Sequence, residues 1–304
     1  MSDPAELDPA RFRVRAVSAR GFRQVTVDEG SGPALLLVHG WPETKRIWWR
    51  NVAPLAAAGF RVLAPDLRGF GESDVAPDDF ADTPSHSRDL LALCDSLGVG
   101  RVVLVGGDLG GAVIQDFALR FPERVERLVI FNSPLPYLKD KMAGMRTRPA
   151  GEASDYFVRQ GTDADTLARE LDTPEKRRRY IATFYGPRFW AHPGHFTREA
   201  VDFMTEPFAD GAKLRSGFGG YESVFKVEKR SESPVLRENP THALILFGTS
   251  DHVIYPEFDR MAAAVFPDHV GPFLVRDAGH FLQWEAADVL NGAIRAFCRD
   301  LLKK

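Results

Sequence analysis

Long apolar stretches and cysteines are scarce in this sequence, and each scarcity excludes a class of protein. No run of about 18 apolar residues occurs among the 304 residues, so we expect no membrane-spanning helix and no membrane partner. The N-terminus shows neither a basic stretch nor the apolar stretch that follows it in a secretory signal. The two cysteines, Cys94 and Cys298, lie far apart in helix-like segments, which favours free thiols in a reducing compartment and predicts a cytoplasmic protein.

An excess of positive charge is also missing. The chain has 39 Lys and Arg residues against 42 Asp and Glu residues, which gives a net charge of −3 and no basic field to attract phosphate backbones. We therefore expect no nucleic-acid partner. No metal-binding motif and no phosphate-binding glycine loop occurs in the sequence, so neither a metal nor a cofactor is predicted. These observations leave both a monomer and a homodimer open.

Short apolar runs alternate with helical patterns over most of the chain. Runs of four or five residues that end in turns are typical of strands covered on both faces, as in a parallel sheet. They occupy residues 34–38, 60–64, 102–105, 127–131, 243–247 and 272–275. Apolar residues recur at helical spacing in residues 89–97, 110–120, 256–266 and 286–302. This alternation predicts an α/β fold with a doubly wound, mostly parallel sheet flanked by helices.

The alternation stops between about residues 136 and 235. This stretch is rich in Arg, Lys, Phe and Tyr and contains charged helical patterns, for example over residues 166–180. We predict a core formed by residues 1–135 and 236–304, with residues 136–235 inserted between two strands as a helical cap. A second structural domain explains this pattern as well as a lid over the carboxyl edge of the sheet, where ligands bind in open α/β folds.

A glycine-rich turn joins one predicted strand to the helix that follows it. After the apolar run at 102–105 comes Gly-Gly-Asp-Leu-Gly, with Asp108 at its centre. Glycines two positions before and after Asp108 allow a sharp strand-to-helix turn that lifts the side chain above the sheet. The N-terminus of the helix stabilises negative charge there. A carboxylate that only caps the helix is equally consistent with this turn taken by itself.

Other candidate residues lie directly after predicted strands. A His-Gly-Trp-Pro sequence begins at His39 after the first strong strand, Asp251 follows a later strand and His280 follows the last one. The chain order nucleophile, acid, histidine is associated with this strand–turn–helix architecture. On these motifs the chain, from residue 35 to residue 296, resembles the α/β-hydrolase family. Asp108 and the His-Gly-x-Pro sequence are similar to its epoxide hydrolase and haloalkane dehalogenase branch, which implies the α/β-hydrolase fold.

An aspartate at this turn predicts a different chemistry from a serine. A serine hydroxyl needs a base before it attacks an acyl carbon, whereas an aspartate, with an ordinary pKa of about 3.9, is already charged at pH 7. It can attack an sp³ carbon and form an alkyl ester. We expect Asp108 to be the nucleophile and His280, oriented by Asp251, to activate the water that hydrolyses the ester. Two other residues are weaker candidates for these roles. Asp277 lies near His280 in sequence but would point along its strand, and His252, next to Asp251, is expected at the surface.

The resemblance implies further roles for the loop that follows the first strong strand. By their positions, the backbone N–H groups of Trp41 and Leu109 form the oxyanion hole of this family. His39 is expected to be a buried structural residue that holds this loop, together with Gly40 and Pro42. The sequence itself shows only that Pro42 restricts the conformation of Trp41.

Opening an epoxide produces an alkoxide that needs a proton, and the resemblance implies that two cap tyrosines donate it. The inserted region contains five tyrosines, Tyr137, Tyr156, Tyr180, Tyr185 and Tyr221. The segments around Tyr156 and Tyr221 are similar to the two tyrosine segments of epoxide hydrolases, although Glu222 stands where the family often has Arg. Packing with a satisfied hydroxyl is the alternative for each tyrosine.

The same branch contains haloalkane dehalogenases, which usually stabilise the halide with a Trp directly after the nucleophile. Leu109 stands at that position here, which favours an epoxide over a halide. Aromatic residues of the inserted region predict an apolar cavity and a small apolar epoxide as the substrate. These residues are Phe157, Phe184, Phe189, Trp190 and Phe218. A haloalkane dehalogenase with the same nucleophile and a non-enzymatic receptor with this fold are the alternatives.

Overall fold

An eight-stranded sheet forms the centre of the computed structural model, which describes residues 4–147, 154–186 and 190–303. The strands are β1 (Val14–Ala19), β2 (Phe22–Gly30), β3 (Ala34–Val38), β4 (Arg61–Pro65), β5 (Val102–Gly106), β6 (Val125–Phe131), β7 (Ala243–Gly248) and β8 (His269–Val275). Their order in the sheet is β1-β2-β4-β3-β5-β6-β7-β8. Strands β3 to β8 pair in parallel, whereas β1 with β2 and β2 with β4 pair antiparallel. This topology confirms the predicted mostly parallel α/β sheet.

The central strands are buried because apolar residues occupy both of their faces. Every residue of β5 and of β7 is buried. The apolar patterns do not indicate β1 and β2, since charged and polar residues are interspersed in both strands. Asp28 on β2 is buried and forms ion pairs with Arg15 and Arg61, each at 2.9 Å. The antiparallel edge therefore depends on ion pairs between strands that the hydrophobic pattern does not show.

Helices flank the sheet and connect its strands. In chain order they are α1 (Trp49–Ala57), α2 (Thr83–Ser96), α3 (Asp108–Arg120), α4 (Ser154–Thr162), α5 (Ala164–Glu170), α6 (Pro174–Ala182), α7 (Arg198–Thr205), α8 (Gly211–Gly217), α9 (Gly219–Phe225), α10 (Phe258–Val265), α11 (Leu282–Glu285) and α12 (Ala287–Phe297). In the described part of the chain no helix has the length and apolar character that crossing a bilayer requires.

Helices α4 to α9 lie between β6 and β7 in the chain, in the region where the strand–helix alternation stops. The charged pattern over residues 166–180 is divided into two helices, α5 and α6. The division follows from capping, because the Thr173 side chain accepts a hydrogen bond from the Lys176 amide at the start of α6. Pro174 occupies the first helical position, where a missing N–H costs nothing.

The turn between β5 and α3 places Asp108 above the carboxyl edge of the sheet. Its φ angle is 47°, in the left-handed region that costs energy for a residue with a side chain. The turn is tight, because a Cβ atom at Gly110 would lie 2.1 Å from the carbonyl oxygen of Val38 on β3. Only glycine at position 110 lets α3 approach the sheet this closely, and this approach fixes where the Asp108 carboxylate points.

Candidate active site

Three side chains from the ends of three strands converge at one point above the sheet. Asp108 follows β5, Asp251 follows β7 and His280 follows β8. The Nδ1 atom of His280 lies 3.0 Å from Asp251 Oδ2, and its Nε2 atom lies 3.2 Å from Asp108 Oδ2. All three residues are buried. The structure thus brings together the residues that were predicted as nucleophile, acid and base, and these roles stay predictions.

The two carboxylates control the charge of the imidazole between them. Burial alone would lower the pKa of His280, but the negative charges of Asp251 and Asp108 outweigh that effect and raise this pKa to about 10. The ring is therefore a cation at neutral pH. The second oxygen of Asp251 is also bound, since it accepts hydrogen bonds from the amides of Val253 at 2.7 Å and Ile254 at 3.2 Å. Asp251 consequently presents one fixed oxygen to the ring.

Glu285 holds the loop that carries His280. Its carboxylate accepts hydrogen bonds from the amides of Gly279 at 2.9 Å and Phe281 at 3.0 Å, the residues on either side of the histidine. The amide of His280 itself donates to the carbonyl oxygen of Trp190 at 2.7 Å, and the Trp190 ring contacts the imidazole edge-on. These bonds fix the height and tilt of the imidazole. This role of Glu285 could not be predicted from the sequence, because a carboxylate that binds backbone amides has no motif of its own.

Asn132 performs a similar task from the end of β6. Its side-chain nitrogen donates to the carbonyl oxygens of Gly279 at 2.8 Å and His280 at 3.1 Å, and its oxygen accepts from the Gly248 amide at 2.9 Å. Its backbone carbonyl accepts from the Asp108 amide at 2.8 Å. The buried side chain of Asn132 thus connects the strand ends that carry Asp251 and His280, and its backbone carbonyl connects them to the turn that carries Asp108.

The loop after β3 closes the other side of the Asp108 carboxylate. The Trp41 amide donates to Asp108 Oδ1 at 2.7 Å. His39 is buried, donates through Nδ1 to the Gly40 carbonyl at 2.8 Å and accepts at Nε2 from the Leu67 amide at 3.0 Å. Burial lowers the pKa of His39 to about 4, which keeps the ring neutral in this linking position. A Cβ atom at Gly40 would lie 2.5 Å from Asp108 Cβ, so this loop and the carboxylate are in direct contact.

Glu43 is a second acidic residue of the site that no sequence pattern indicates. Its Oε2 accepts from the Gly40 amide at 2.6 Å, and its Oε1 accepts from the Gln283 side chain at 2.8 Å. Burial, and then the nearby charge of Asp108, raise the pKa of Glu43 to about 7. The residue therefore fixes the peptide that precedes the Trp41 amide. Glu43 directly follows Pro42, so only its place in the motif could have indicated it.

Tyr156 on α4 and Tyr221 on α9 line the same cavity as Asp108. Their rings contact each other edge-on, with centroids 6.0 Å apart. Both rings contact the Trp41 ring, with centroid distances of 6.0 and 5.3 Å. Burial raises the pKa of both hydroxyls well above the ordinary value, and the negative charge of Asp108 raises it further. Both phenols are therefore neutral donors at pH 7.

The other tyrosines of the inserted region have different surroundings. The hydroxyl of Tyr180 accepts a hydrogen bond from the Gln160 side chain at 2.9 Å. Tyr185 donates to the carbonyl oxygen of Pro42 at 2.6 Å. Tyr137 is 60% exposed. Tyr156 and Tyr221 are thus the two tyrosines of this region that lie with Asp108 in the wall of one cavity.

A cavity of about 680 Å³ lies between the carboxyl edge of the sheet and the inserted helices. Most of its wall is apolar, and it includes Leu109, Leu135, Phe157, Val253 and Ile254. The predicted aromatics Phe184 and Trp190 contact the Trp41 ring, whereas Phe189 lies outside the described residues.

Within the described ranges no hydrogen bond joins the Leu109 amide to Asp108, so its part in an oxyanion hole stays a prediction. In those ranges no group of three His, Cys, Asp or Glu side chains is placed to hold a metal ion.

The rival acid and base lie elsewhere. Asp277 and His252 are both exposed, whereas Asp251 and His280 are buried in contact with each other. Water and salt screen a charge pair in an exposed position, so such a pair holds an imidazole ring in one orientation less firmly than the buried contact of Asp251 with His280 does. The geometry therefore favours Asp251 over Asp277 as the partner of the histidine.

Known proteins resemble this chain in sequence and in fold. A family model described as alpha/beta hydrolase fold matches residues 33–287. Epoxide hydrolase 1 of Siraitia grosvenorii is 41% identical over 313 aligned positions, which cover 93% of this chain and 97% of that protein. Bifunctional epoxide hydrolase 2 of Sus scrofa is 28% identical over 95% of this chain, which spans only about half (55%) of that protein. The solved structure of an epoxide hydrolase named CorEH has a TM-score of 0.82 at 24% identity, with 95% of this chain and 99% of that chain covered, and this likeness shows the fold alone.

Removing one carboxylate should change the pKa of His280 in a measurable way. In Asp108→Asn the amide keeps the shape of the side chain but loses its charge, so we expect the pKa of His280 to fall from about 10 toward its ordinary value. NMR titration of the His280 ring measures this. Asp277→Asn, which changes an exposed carboxylate, is the matched control and should leave the pKa unchanged. If the pKa of His280 stays near 10 in Asp108→Asn, the ionic contact with Asp108 does not contribute to the raised pKa.

Proposed function

The chain belongs to the epoxide hydrolase branch of the α/β-hydrolase family, and we propose that it hydrolyses an epoxide to a vicinal diol through a covalent ester on Asp108. The placement of one carboxylate supports this most directly. Asp108 lies in the cavity wall, with Oδ2 against His280 and Oδ1 bound by the Trp41 amide. The two neutral tyrosine hydroxyls in the same cavity are suited to receive the oxygen that an epoxide releases.

The first step forms the ester. Because the Trp41 amide binds Oδ1, we assign the attack to Oδ2 of Asp108, which His280 contacts at 3.2 Å. This oxygen forms a bond to the less hindered carbon of the epoxide, and the bond from that carbon to the ring oxygen breaks. The ring oxygen leaves as an alkoxide on the neighbouring carbon. The apolar wall of the cavity keeps mobile water away from the carboxylate. Oriented hydrogen bonds from the protein hold the carboxylate instead, and this favours its attack on the epoxide.

The alkoxide then receives a proton. Tyr156 and Tyr221 donate through their hydroxyls, and His280, which starts the cycle as a cation, replaces the proton that they lose. Alkylation has by then turned Asp108 into a neutral ester. His280 consequently loses one of the two charges that raise its pKa, and its proton becomes easier to give away. The same bond-forming event therefore prepares the base for the second step.

The second step hydrolyses the ester. Neutral His280, still held by Asp251, takes one proton from a water molecule whose oxygen attacks the carbonyl carbon of the ester. The Trp41 amide stabilises the resulting oxyanion, and we assign the second donor to the Leu109 amide by its position in the family motif. The bond to the alkyl oxygen breaks, and the diol leaves with the other proton of the water. Asp108 regains its negative charge and His280 its positive one.

We also propose that residues 136–235 act as a cap on a core formed by residues 1–135 and 236–304. Asp108 belongs to the core, whereas Tyr156 and Tyr221 come from the inserted helices, so the nucleophile and the proton donors meet only when both parts are assembled. The working assignment is a cytoplasmic monomer or homodimer that needs no cofactor. A small apolar epoxide fits the apolar wall of the cavity.

Three substrates distinguish this proposal from its alternatives. The purified protein is incubated with styrene oxide, 1-bromobutane and p-nitrophenyl acetate, and diol, bromide and nitrophenol are measured. We expect phenylethanediol alone. Bromide release without diol would favour a haloalkane dehalogenase and overturn the proposal. Binding of styrene oxide without turnover of any of the three compounds would favour a receptor.

The two tyrosines can be tested separately from the nucleophile. Tyr156→Phe and Tyr221→Phe keep the ring and remove the hydroxyl, and each should lower kcat/KM for styrene oxide by about 10²–10³-fold, the usual cost of losing one donor to a developing oxyanion. Steady-state diol formation measures this effect. Tyr180→Phe is the matched control, since it removes a half-buried hydroxyl that binds Gln160, and it should have a much smaller effect. Unchanged diol formation in the double variant Tyr156→Phe/Tyr221→Phe would refute the proposed proton transfer.

A further inference from the structure

The mouth of the cavity can be located from those residues of its wall that are also exposed to solvent. Among the described residues four meet both conditions, namely Pro134, Val224, Pro234 and Leu236. Val224 lies near the end of α9 and is 52% exposed, whereas Leu236 follows the inserted helices and is 67% exposed. The cavity therefore opens to solvent between the end of α9 and the segment of chain that returns to the core.

This returning segment, which we define as residues 231–237, is bound to the core at its start. The Ser231 amide donates to Asp82 Oδ2 at 2.7 Å, and the Ser85 hydroxyl donates to the Ser231 hydroxyl at 3.0 Å. Asp82 is buried and caps α2. These hydrogen bonds therefore tie the returning segment to the first turn of a core helix.

Glu232 makes the second contact of the returning segment with the core. Its carboxylate pairs with Arg88 on α2 and with Arg120 on α3, each at 2.6 Å. Arg120 also donates to the carbonyl oxygen of Ser233 at 2.8 Å. The side chains of Glu232 and Arg88 are 31% and 41% exposed, so water and salt weaken their attraction and the pair breaks at a small cost in free energy.

The rest of the returning segment is bound much less. In the part of the chain that the structure describes, residues 234–237 take part in no hydrogen bond. Beyond them, Glu238 pairs with Lys141 at 2.9 Å, and both side chains are about half exposed. Backbone with so few hydrogen bonds opens locally at a low free energy. Once the contacts of Ser231 and Glu232 break, the returning segment is free to move away from α9 while the sheet stays intact.

We propose that the returning segment is a gate, which must move away from α9 before a wide molecule enters or leaves the cavity. Val224 and Leu236 limit the width of the closed opening from its two sides. A narrow molecule passes the closed opening, whereas a wide one waits for the gate to open. Glu232 determines how often this happens, because its two ion pairs hold the closed position. The gate controls access to the cavity whatever reaction takes place there.

A thiol inside the cavity reports how fast molecules pass the mouth. Ala112→Cys places it in the cavity wall, while the native Cys94 and Cys298 are buried. Labelling by methyl methanethiosulfonate, which is narrow, and by N-(1-pyrenyl)maleimide, which is wide, is followed by mass spectrometry. Glu232→Gln keeps the shape of the side chain and removes its charge. Because two partly exposed ion pairs are lost, we expect it to speed the wide reagent about 2- to 10-fold and to leave the narrow one unchanged.

Another ion pair between the inserted region and the core supplies the matched control. Arg46 and Glu206 pair at 2.6 Å, and neither residue lines the cavity. Glu206→Gln should therefore leave both labelling rates as they are in Ala112→Cys alone. General loosening of the protein would speed both reagents, so the ratio of the two rates identifies the gate. An unchanged ratio in Glu232→Gln, or no labelling by the wide reagent in any variant, would overturn the proposal.

A disulfide that locks the gate tests it through turnover, and this part rests on the proposed function. The hydroxyl oxygens of Ser85 and Ser231 are 3.0 Å apart, so two cysteines at these positions lie within reach of a disulfide bond. In Ser85→Cys/Ser231→Cys we expect oxidation to abolish turnover of trans-stilbene oxide, to spare that of the narrower styrene oxide, and to be reversed by dithiothreitol. Ser231→Cys alone should not respond to oxidation.

The two experiments separate the possible failures. Equal turnover of trans-stilbene oxide by the oxidised and the reduced double variant would overturn the gate and leave the proposed function intact. If the wild type turns over no epoxide at all, the proposed function is refuted, and the labelling rates decide about the gate without any reference to catalysis.

Discussion

The buried contact of one imidazole with two carboxylates is the interaction on which the site depends. His280 lies between Asp251 and Asp108, at 3.0 and 3.2 Å, with almost no access to water. Breaking a buried ion pair by removing one partner typically costs about 3–5 kcal/mol, because the remaining charge keeps its desolvation penalty. The surrounding bonds from Glu285 and Asn132 keep the three strand ends at the distance that this contact requires.

The same electrostatic arrangement links the two halves of the proposed reaction. While Asp108 carries a charge, His280 is a cation and a source of a proton. Once Asp108 is an ester, the ring has only Asp251 as an anionic partner and can act as a base. The inserted helices add the neutral hydroxyls of Tyr156 and Tyr221, whose raised pKa values follow from the same burial and the same negative charge. A single set of buried charges thus accounts for the proposed nucleophile, acid and base.

The strands of the parallel part of the sheet and the converging residues could be predicted because each signal is local in the chain. The apolar runs mark β3 to β8, and Asp108, Asp251 and His280 each stand directly after one of them. The antiparallel strands β1 and β2 could not be predicted in this way, since ion pairs between strands replace the hydrophobic pattern there. Glu285 and Asn132 could not be predicted either, because they act on backbone groups and leave no periodic or motif signal. Their roles depend on where distant loops meet, which only the folded chain determines.

The formation of a covalent bond to Asp108 is the central claim, and a single turnover in ¹⁸O-labelled water tests it most directly. An excess of enzyme is mixed with styrene oxide, digested, and the peptide that contains Asp108 is weighed by mass spectrometry. Attack of water on the ester carbonyl leaves one oxygen of the water on the carboxylate, so the account predicts that this peptide gains about 2 Da while the first diol formed is unlabelled. Labelled diol from the first turnover, with an unlabelled Asp108 peptide, would mean that water attacks the epoxide directly and would contradict the account.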